Sequence, residues 1–70
     1  MEISIKTKFD LGQTIVAFVG SKNKLIPFVV TRIDFGITKD GVDIWYHGDD
    51  NIMAMECNCF SSKEEFIAQL

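Results

Sequence analysis

The sequence predicts a mainly β fold, with five short antiparallel strands bent into a small barrel and a short C-terminal α-helix. Three observations predict it. Of the 70 residues, 18 are Ile, Val or Thr, side chains that suit a pleated, half-buried surface. Clusters of turn-forming residues punctuate the chain at short intervals. The hydrophobic period then changes at the end, from alternation to helical spacing.

Residues 2–8 alternate, with Ile3 and Ile5 on one face and Glu2, Ser4 and Lys6 on the other, as in a half-buried first strand. Asp10-Leu11-Gly12-Gln13 turns the chain. Residues 14–20 read as the second strand, and Ser21-Lys22-Asn23-Lys24 as a polar hairpin loop. Residues 25–35 form a long third strand. Its Pro27 cannot donate a ladder hydrogen bond, so it belongs at an edge or a bulge. Asp40-Gly41 suits a tight hairpin of the type that needs positive φ at both central residues. Val42 to His47 is the fourth strand, Gly48-Asp49-Asp50-Asn51 a turn, and residues 52–57 the fifth strand. Two overlapping Ser-x-x-Glu capping boxes follow, Ser61/Glu64 and Ser62/Glu65. Phe66, Ile67 and Leu70 then recur at helical spacing. A helix this short holds only if it docks on the sheet. Together these elements describe a single SH3-like barrel domain spanning residues 1–70.

Composition narrows the function. Apolar residues make up 47% of the chain and charged residues 24%, a globular balance. Seventy residues leave no room for separate cofactor and substrate lobes. The net charge is -3, and it is divided. Lys6, Lys8, Lys22, Lys24 and Arg32 make the first half basic, whereas six aspartates and glutamates between Asp34 and Glu56, with Glu64 and Glu65, make the second acidic. The chain lacks the bulk positive field that drives non-specific phosphate binding. Cys57 and Cys59 sit two positions apart on one strand face, about 7 Å by strand rise, at the limit of what a disulfide spans. Reduced thiols are therefore expected, in a cytoplasmic setting. Met1-Glu2-Ile3-Ser4-Ile5 has neither the basic region nor the apolar run of a signal peptide. No apolar stretch reaches the roughly 18 residues of a membrane span.

Two segments carry a family resemblance. Lys8-Phe9-Asp10-Leu11-Gly12-Gln13-Thr14-Ile15 resembles the F-x-I-G-D-x-V opening of small SH3-like barrel proteins encoded by phages and prophages, with Gln13 where those proteins have Asp. Phe60-Ser61-Ser62-Lys63-Glu64-Glu65 is similar to the start of their closing helix. Val29-x-x-x-Ile33 and Ile44-x-Tyr46 fall where they keep barrel-facing residues. The resemblance covers most of the chain, and its motifs are structural. It implies a bacterial-cell, mobile-element setting and an accessory protein, without implying a reaction.

Function is sought in a conflict between strand patterns. With Ile15, Ala17 and Val19 inward on the second strand, Val16 and Phe18 face out. With Val29, Thr31, Ile33 and Phe35 inward on the third, Ile26, Phe28 and Val30 face out. With Val42, Ile44 and Tyr46 inward on the fourth, Asp43, Trp45 and His47 face out. An antiparallel sheet with one wet face alternates cleanly, and these strands do not. Their outer faces would join into an apolar patch, covered either by the terminal helix or by a protein partner or second copy. The expected partner surface is Phe18, Phe28 and Val30 with Trp45 as anchor, rimmed by Arg32, Asp43 and His47. A one-residue slip in register would exchange the two faces.

Other chemistries draw less support. His47, the single histidine, with Asp49, Asp50, Cys57 and Cys59 could be drawn into a metal site, but one C-x-C lacks the paired knuckles of structural zinc. Two small residues on a packed strand account for the cysteines. No nucleophile turn surrounds them, and the five glycines are scattered at turns and not gathered into a phosphate loop. No catalytic residue, metal or cofactor is therefore expected. The alternative to a protein-interaction module is a single-stranded nucleic-acid-binding barrel. It would use Phe28 and Trp45 for stacking and the lysines of the first half for charge.

Overall fold

The computed structural model describes residues 4–70. The elements in chain order are β1 (Thr14–Val19), β2 (Lys24–Val29), β3 (Arg32–Thr38), β4 (Gly41–His47), β5 (Met53–Met55), a 3₁₀ turn (Glu56–Asn58), β6 (Cys59–Phe60) and α1 (Lys63–Ala68). They form two three-stranded antiparallel sheets, one ordered β2-β1-β6 and the other β3-β4-β5. No ladder joins the two sheets among the described residues, so the closed barrel expected from sequence is not found.

The first predicted strand is absent from residues 4–8, and its beginning lies outside the described residues. This segment packs by its side chains instead. Phe9 is buried, Ile5 lies against the core, and the Lys8 and Phe9 amides are bonded to a side chain of the other sheet.

The long third strand is two strands in two sheets. The chain changes partner at Val30–Thr31. The Val30 N–H donates to Gln13 (2.9 Å) and its carbonyl accepts from Gly12 (2.8 Å), on the β1 side. The Thr31 N–H donates to the His47 carbonyl (2.8 Å), on the β4 side. The kink also shifts the face. Phe28 and Val30 point inward before it, and Ile33 points toward the core after it. One inserted residue shifts the phase in this way. On β3, Ile33 turns toward the core as predicted, but Phe35, also expected inward, is exposed (56%); through β2 to Val30 the faces are reversed, with Phe28 (8% exposed) and Val30 (1%) in the core and Val29 (45%) exposed.

The core lies between the sheets. Ile15, Ala17 and Phe28 from the first sheet meet Ile44 and Tyr46 from the second, closed by Phe9, Val30 and Cys59. Gly48 sits at its rim. A Cβ there would fall 2.6 Å from Phe28 Cδ2 and 2.7 Å from Ile52 Cγ2, closer than packed side chains tolerate. Gly48→Ala is therefore expected to cost about 1–3 kcal/mol by overpacking, read as a lower urea midpoint with unchanged slope. An unchanged midpoint would mean that the Phe28 ring moves aside freely.

The β3–β4 hairpin departs from its predicted turn. Lys39 and Asp40 are its loop, Gly41 (φ 136°) begins β4, and Asp40 does not take positive φ. In the Gly48–Asn51 turn, Asp50 and Asn51 both do (61° and 60°), a conformation short polar side chains tolerate. At α1, Ser62 is the N-cap and accepts from the Glu65 N–H (3.2 Å), so the second predicted box is the one used. The Glu65 carboxylate reaches back to the Ser61 amide (2.9 Å) and hydroxyl. These bonds hold its carboxyl below the ordinary range. The helix docks by Phe66, which stacks on Phe18 of β1 (5.1 Å) and meets Phe60 edge-on (5.2 Å). No helix among the described residues is long and apolar enough to cross a membrane.

Candidate functional site

Three parts of the molecule bear on function: the Tyr46 hydrogen-bond cluster, the thiols and the β3–β4 hairpin. Tyr46 faces the core from β4 because residues 44 and 46 share one side of the strand. Its ring is fully buried and edge-on to Phe9 (5.4 Å). Its hydroxyl donates to Glu56 Oε2 (2.5 Å) and accepts from the Lys8 (3.0 Å) and Phe9 (3.2 Å) amides. This cluster ties the irregular N-terminal segment to the 3₁₀ turn. Burial, reinforced by the bond to Glu56, pushes the phenol from 10.0 to about 12.

Cys57 is exposed and Cys59 buried, both as free thiols. Burial pushes Cys59 up to about 11 from 9.0, the reverse of the lowered value that activates a thiolate. Raised folded-state values for Cys59 and Tyr46 have one sign. Each group stabilises the fold below its unfolded value and loses that contribution as pH rises through its folded one. Stability is therefore expected to fall across pH 9.0 to about 11 through Cys59, and across pH 10.0 to about 12 through Tyr46. Tyr46 is the single tyrosine, so its absorbance titration reads the second step directly. A midpoint near 10 in the folded protein would contradict the buried hydroxyl. Among the described residues, no group of three or more His, Cys, Asp or Glu side chains is placed to hold a metal ion.

The distal half of the β3–β4 hairpin is exposed on both strands. Ile33, Phe35 and Ile37 pair across with Tyr46, Ile44 and Val42, so all six side chains share one face. At the base this face is the core. Beyond it β5 pairs only with Trp45, Tyr46 and His47, and the distal half has no third strand among the described residues. Phe35 (56% exposed), Ile37 (56%) and Val42 (41%) are thus left in solvent on a face that is apolar throughout. The projection also appears in the shape. The molecule measures 39 × 26 × 20 Å with a radius of gyration of 12.6 Å, above the about 11 Å of an evenly packed chain this long.

The opposite face of the hairpin is mixed. Asp34 lies across from Trp45, and Met53 and Met55 flank His47 and Trp45 on β5. Arg32 Nε donates to Asp34 Oδ1 (2.9 Å). His47 Nε2 is shielded from water and lies 2.7 Å from Asp34 Oδ2.

Of the residues expected to form the partner surface, the structure keeps Arg32, Trp45 and His47 together on this mixed face, with Asp43 exposed farther along it. The other three leave it. Phe28 and Val30 are core, and Phe18 lies under α1. The apolar face of Phe35, Ile37 and Val42 is not among the expected surfaces, because alternation turns Phe35 and Val42 inward and ends the third strand before Ile37. The strands on either side of Lys39-Asp40 outrun β5, which has three residues where the sequence predicts a strand over 52–57. The basic residues do not gather beside Trp45. Lys22 and Lys24 lie at the β1–β2 turn, Arg32 is paired with Asp34, and Lys8 with Glu65 (3.5 Å).

Comparison of the chain with protein-family models, curated proteins and solved structures finds no match.

Proposed function

We propose that this chain is a non-enzymatic protein-interaction module that docks through its β3–β4 hairpin. The observation that carries the reading is the apolar face of Phe35, Ile37 and Val42, which runs out of the core into solvent. Contiguous exposed apolar surface of this kind marks interaction sites. Arg32, Asp34, Trp45 and His47 lie on the opposite face and keep that side of the hairpin mixed in polarity.

The strand order supports a small SH3-like barrel as the parent architecture, since the bent β2–β3 segment passes from one sheet to the other. The resemblance of residues 8–15 and 60–65 to phage and prophage barrels supports an accessory protein of that setting. The free thiols suit a reducing cytoplasm.

The test is a photoreactive benzoylphenylalanine placed at Phe35, compared with one at Leu11, which is exposed (64%) but lies in the loop before β1. Irradiation of the purified protein, and of extracts of the cells that make it, is expected to give a discrete protein adduct from position 35 and none from position 11. No adduct from position 35 in either sample, or equal adducts from both positions, would refute the reading.

A further inference from the structure

The edges of the two sheets are not equally protected. β2 carries Pro27, which removes an amide from that strand. β5 has three residues and β6 two. β3 has seven residues, no proline and, among the described residues, no strand on its outer side. Natural edges are blunted by prolines, bulges, short length or charge. Within β3 the charged residues, Arg32 and Asp34, both lie on the mixed face and are occupied with each other.

The backbone of this edge has a definite pattern. The loop has two residues, so the hairpin closes on a hydrogen-bonded pair, Thr38 with Gly41. Antiparallel pairs alternate, so Arg32, Asp34, Gly36 and Thr38 spend their amides and carbonyls on β4. Ile33, Phe35 and Ile37 turn theirs to the open edge, and no further backbone bond reaches them among the described residues. Their side chains belong to the apolar face. One edge therefore offers unpaired donors and acceptors directly beside apolar side chains.

We propose that β3 pairs antiparallel with β3 of a second copy, about a two-fold axis at Phe35, joining two three-stranded sheets into one continuous sheet. The proposal rests on the hairpin reading above and names its partner. What selects a second copy is the self-complementarity of the strand. With the axis at Phe35, Ile33 faces Ile37 of the other copy, Phe35 faces Phe35, Asp34 faces Gly36 and Arg32 faces Thr38. All the outward amides and carbonyls of Ile33, Phe35 and Ile37 are then satisfied, apolar side chains meet apolar ones, and no like charges meet. The neighbouring registers are worse. An axis at Asp34 sets two carboxylates opposite each other, which is destabilising. An axis at Gly36 sets Ile33 against Lys39. The interface is isologous, as a two-fold dimer requires.

Two measurements test it. In a Cys57→Ser background, where the remaining thiol Cys59 is buried, a cysteine is placed at Phe35 or at Asp34. The proposed register puts the two copies of residue 35 about 5.5 Å apart at Cα, within disulfide range, and offsets the two copies of residue 34 beyond it. Phe35→Cys is expected to oxidise to a disulfide dimer and Asp34→Cys to remain single. Equal cross-linking of both, or preference for Asp34→Cys, overturns the register and with it the proposal. In light scattering the wild-type mass is expected to double with concentration. Phe35→Lys, at an exposed position, is expected to abolish the doubling. Phe35→Pro, whose lost amide points outward and breaks no β4 bond, is expected to do the same, with circular dichroism confirming the fold of each variant. A wild type that keeps the mass of one chain at every concentration overturns the proposal. If position 35 then still gives an adduct with a different protein, the hairpin reading survives without its second copy; if it gives none, both fall.

Discussion

Replacing Tyr46 with alanine is expected to unfold most of the population. Tyr46 has no exposed surface, and its ring packs edge-on against Phe9. Truncating a buried aromatic costs about 3–5 kcal/mol. A chain of this length holds only about 3.5–10 kcal/mol in total. The hydroxyl adds to the loss, because the Lys8 and Phe9 amides and the Glu56 carboxylate are left without their shared partner. Tyr46→Phe isolates that share, at about 1–3 kcal/mol, and also removes the upper part of the alkaline transition. Urea melts followed through Trp45 fluorescence read both. A loss below about 1 kcal/mol for Tyr46→Ala would mean that the N-terminal segment is not anchored by this residue.

Two phenylalanines provide the second large effect and its control. Phe28 is core (8% exposed) and Phe35 lies on the projecting hairpin (56%). Phe28→Ala is expected to cost about 3–5 kcal/mol. In dilute solution, where the chain is single, Phe35→Ala is expected to stay within about 1 kcal/mol, as surface changes do. Simple alternation along one unbroken strand would predict the opposite ranking. The comparison therefore tests the kink at Val30–Thr31 as well as the two positions. If Phe35→Ala is the costly variant, the projecting face is covered in solution by the molecule's own chain.

The sequence reading succeeds where local chemistry decides and fails where tertiary hydrogen bonds do. β1, β4 and the Gly48–Asn51 turn are legible because β-branched runs and turn residues specify them without help from distant groups. The cap at Ser62 is equally local. The reversal of Phe28 and Val30 is not, because it depends on the Thr31 amide choosing the His47 carbonyl, a contact sixteen residues away along the chain that leaves no mark on the pattern. The absence of strand at residues 4–8 has the same origin. Residues 4–8 alternate well enough for a strand, but the Lys8 amide is taken by Tyr46 and Glu56. On the candidate surface, the grouping of Arg32, Trp45 and His47 follows from strand alternation and was readable. The exposure of Phe35 and Ile37 was not, because burial depends on whether a third strand reaches the end of the hairpin, and β5 stops short of it.

The claim on which the functional account turns is that the outer edge of β3 is a docking edge. Amide hydrogen exchange of the purified protein, compared between dilute and concentrated solution, tests it residue by residue. Slow exchange of the Ile33, Phe35 and Ile37 amides that appears only on concentration, with the Asp43, Trp45 and His47 amides that bond β3 protected throughout, is the predicted result. Fast exchange of those three amides at every concentration, in a protein whose Asp43, Trp45 and His47 amides stay protected, would contradict it.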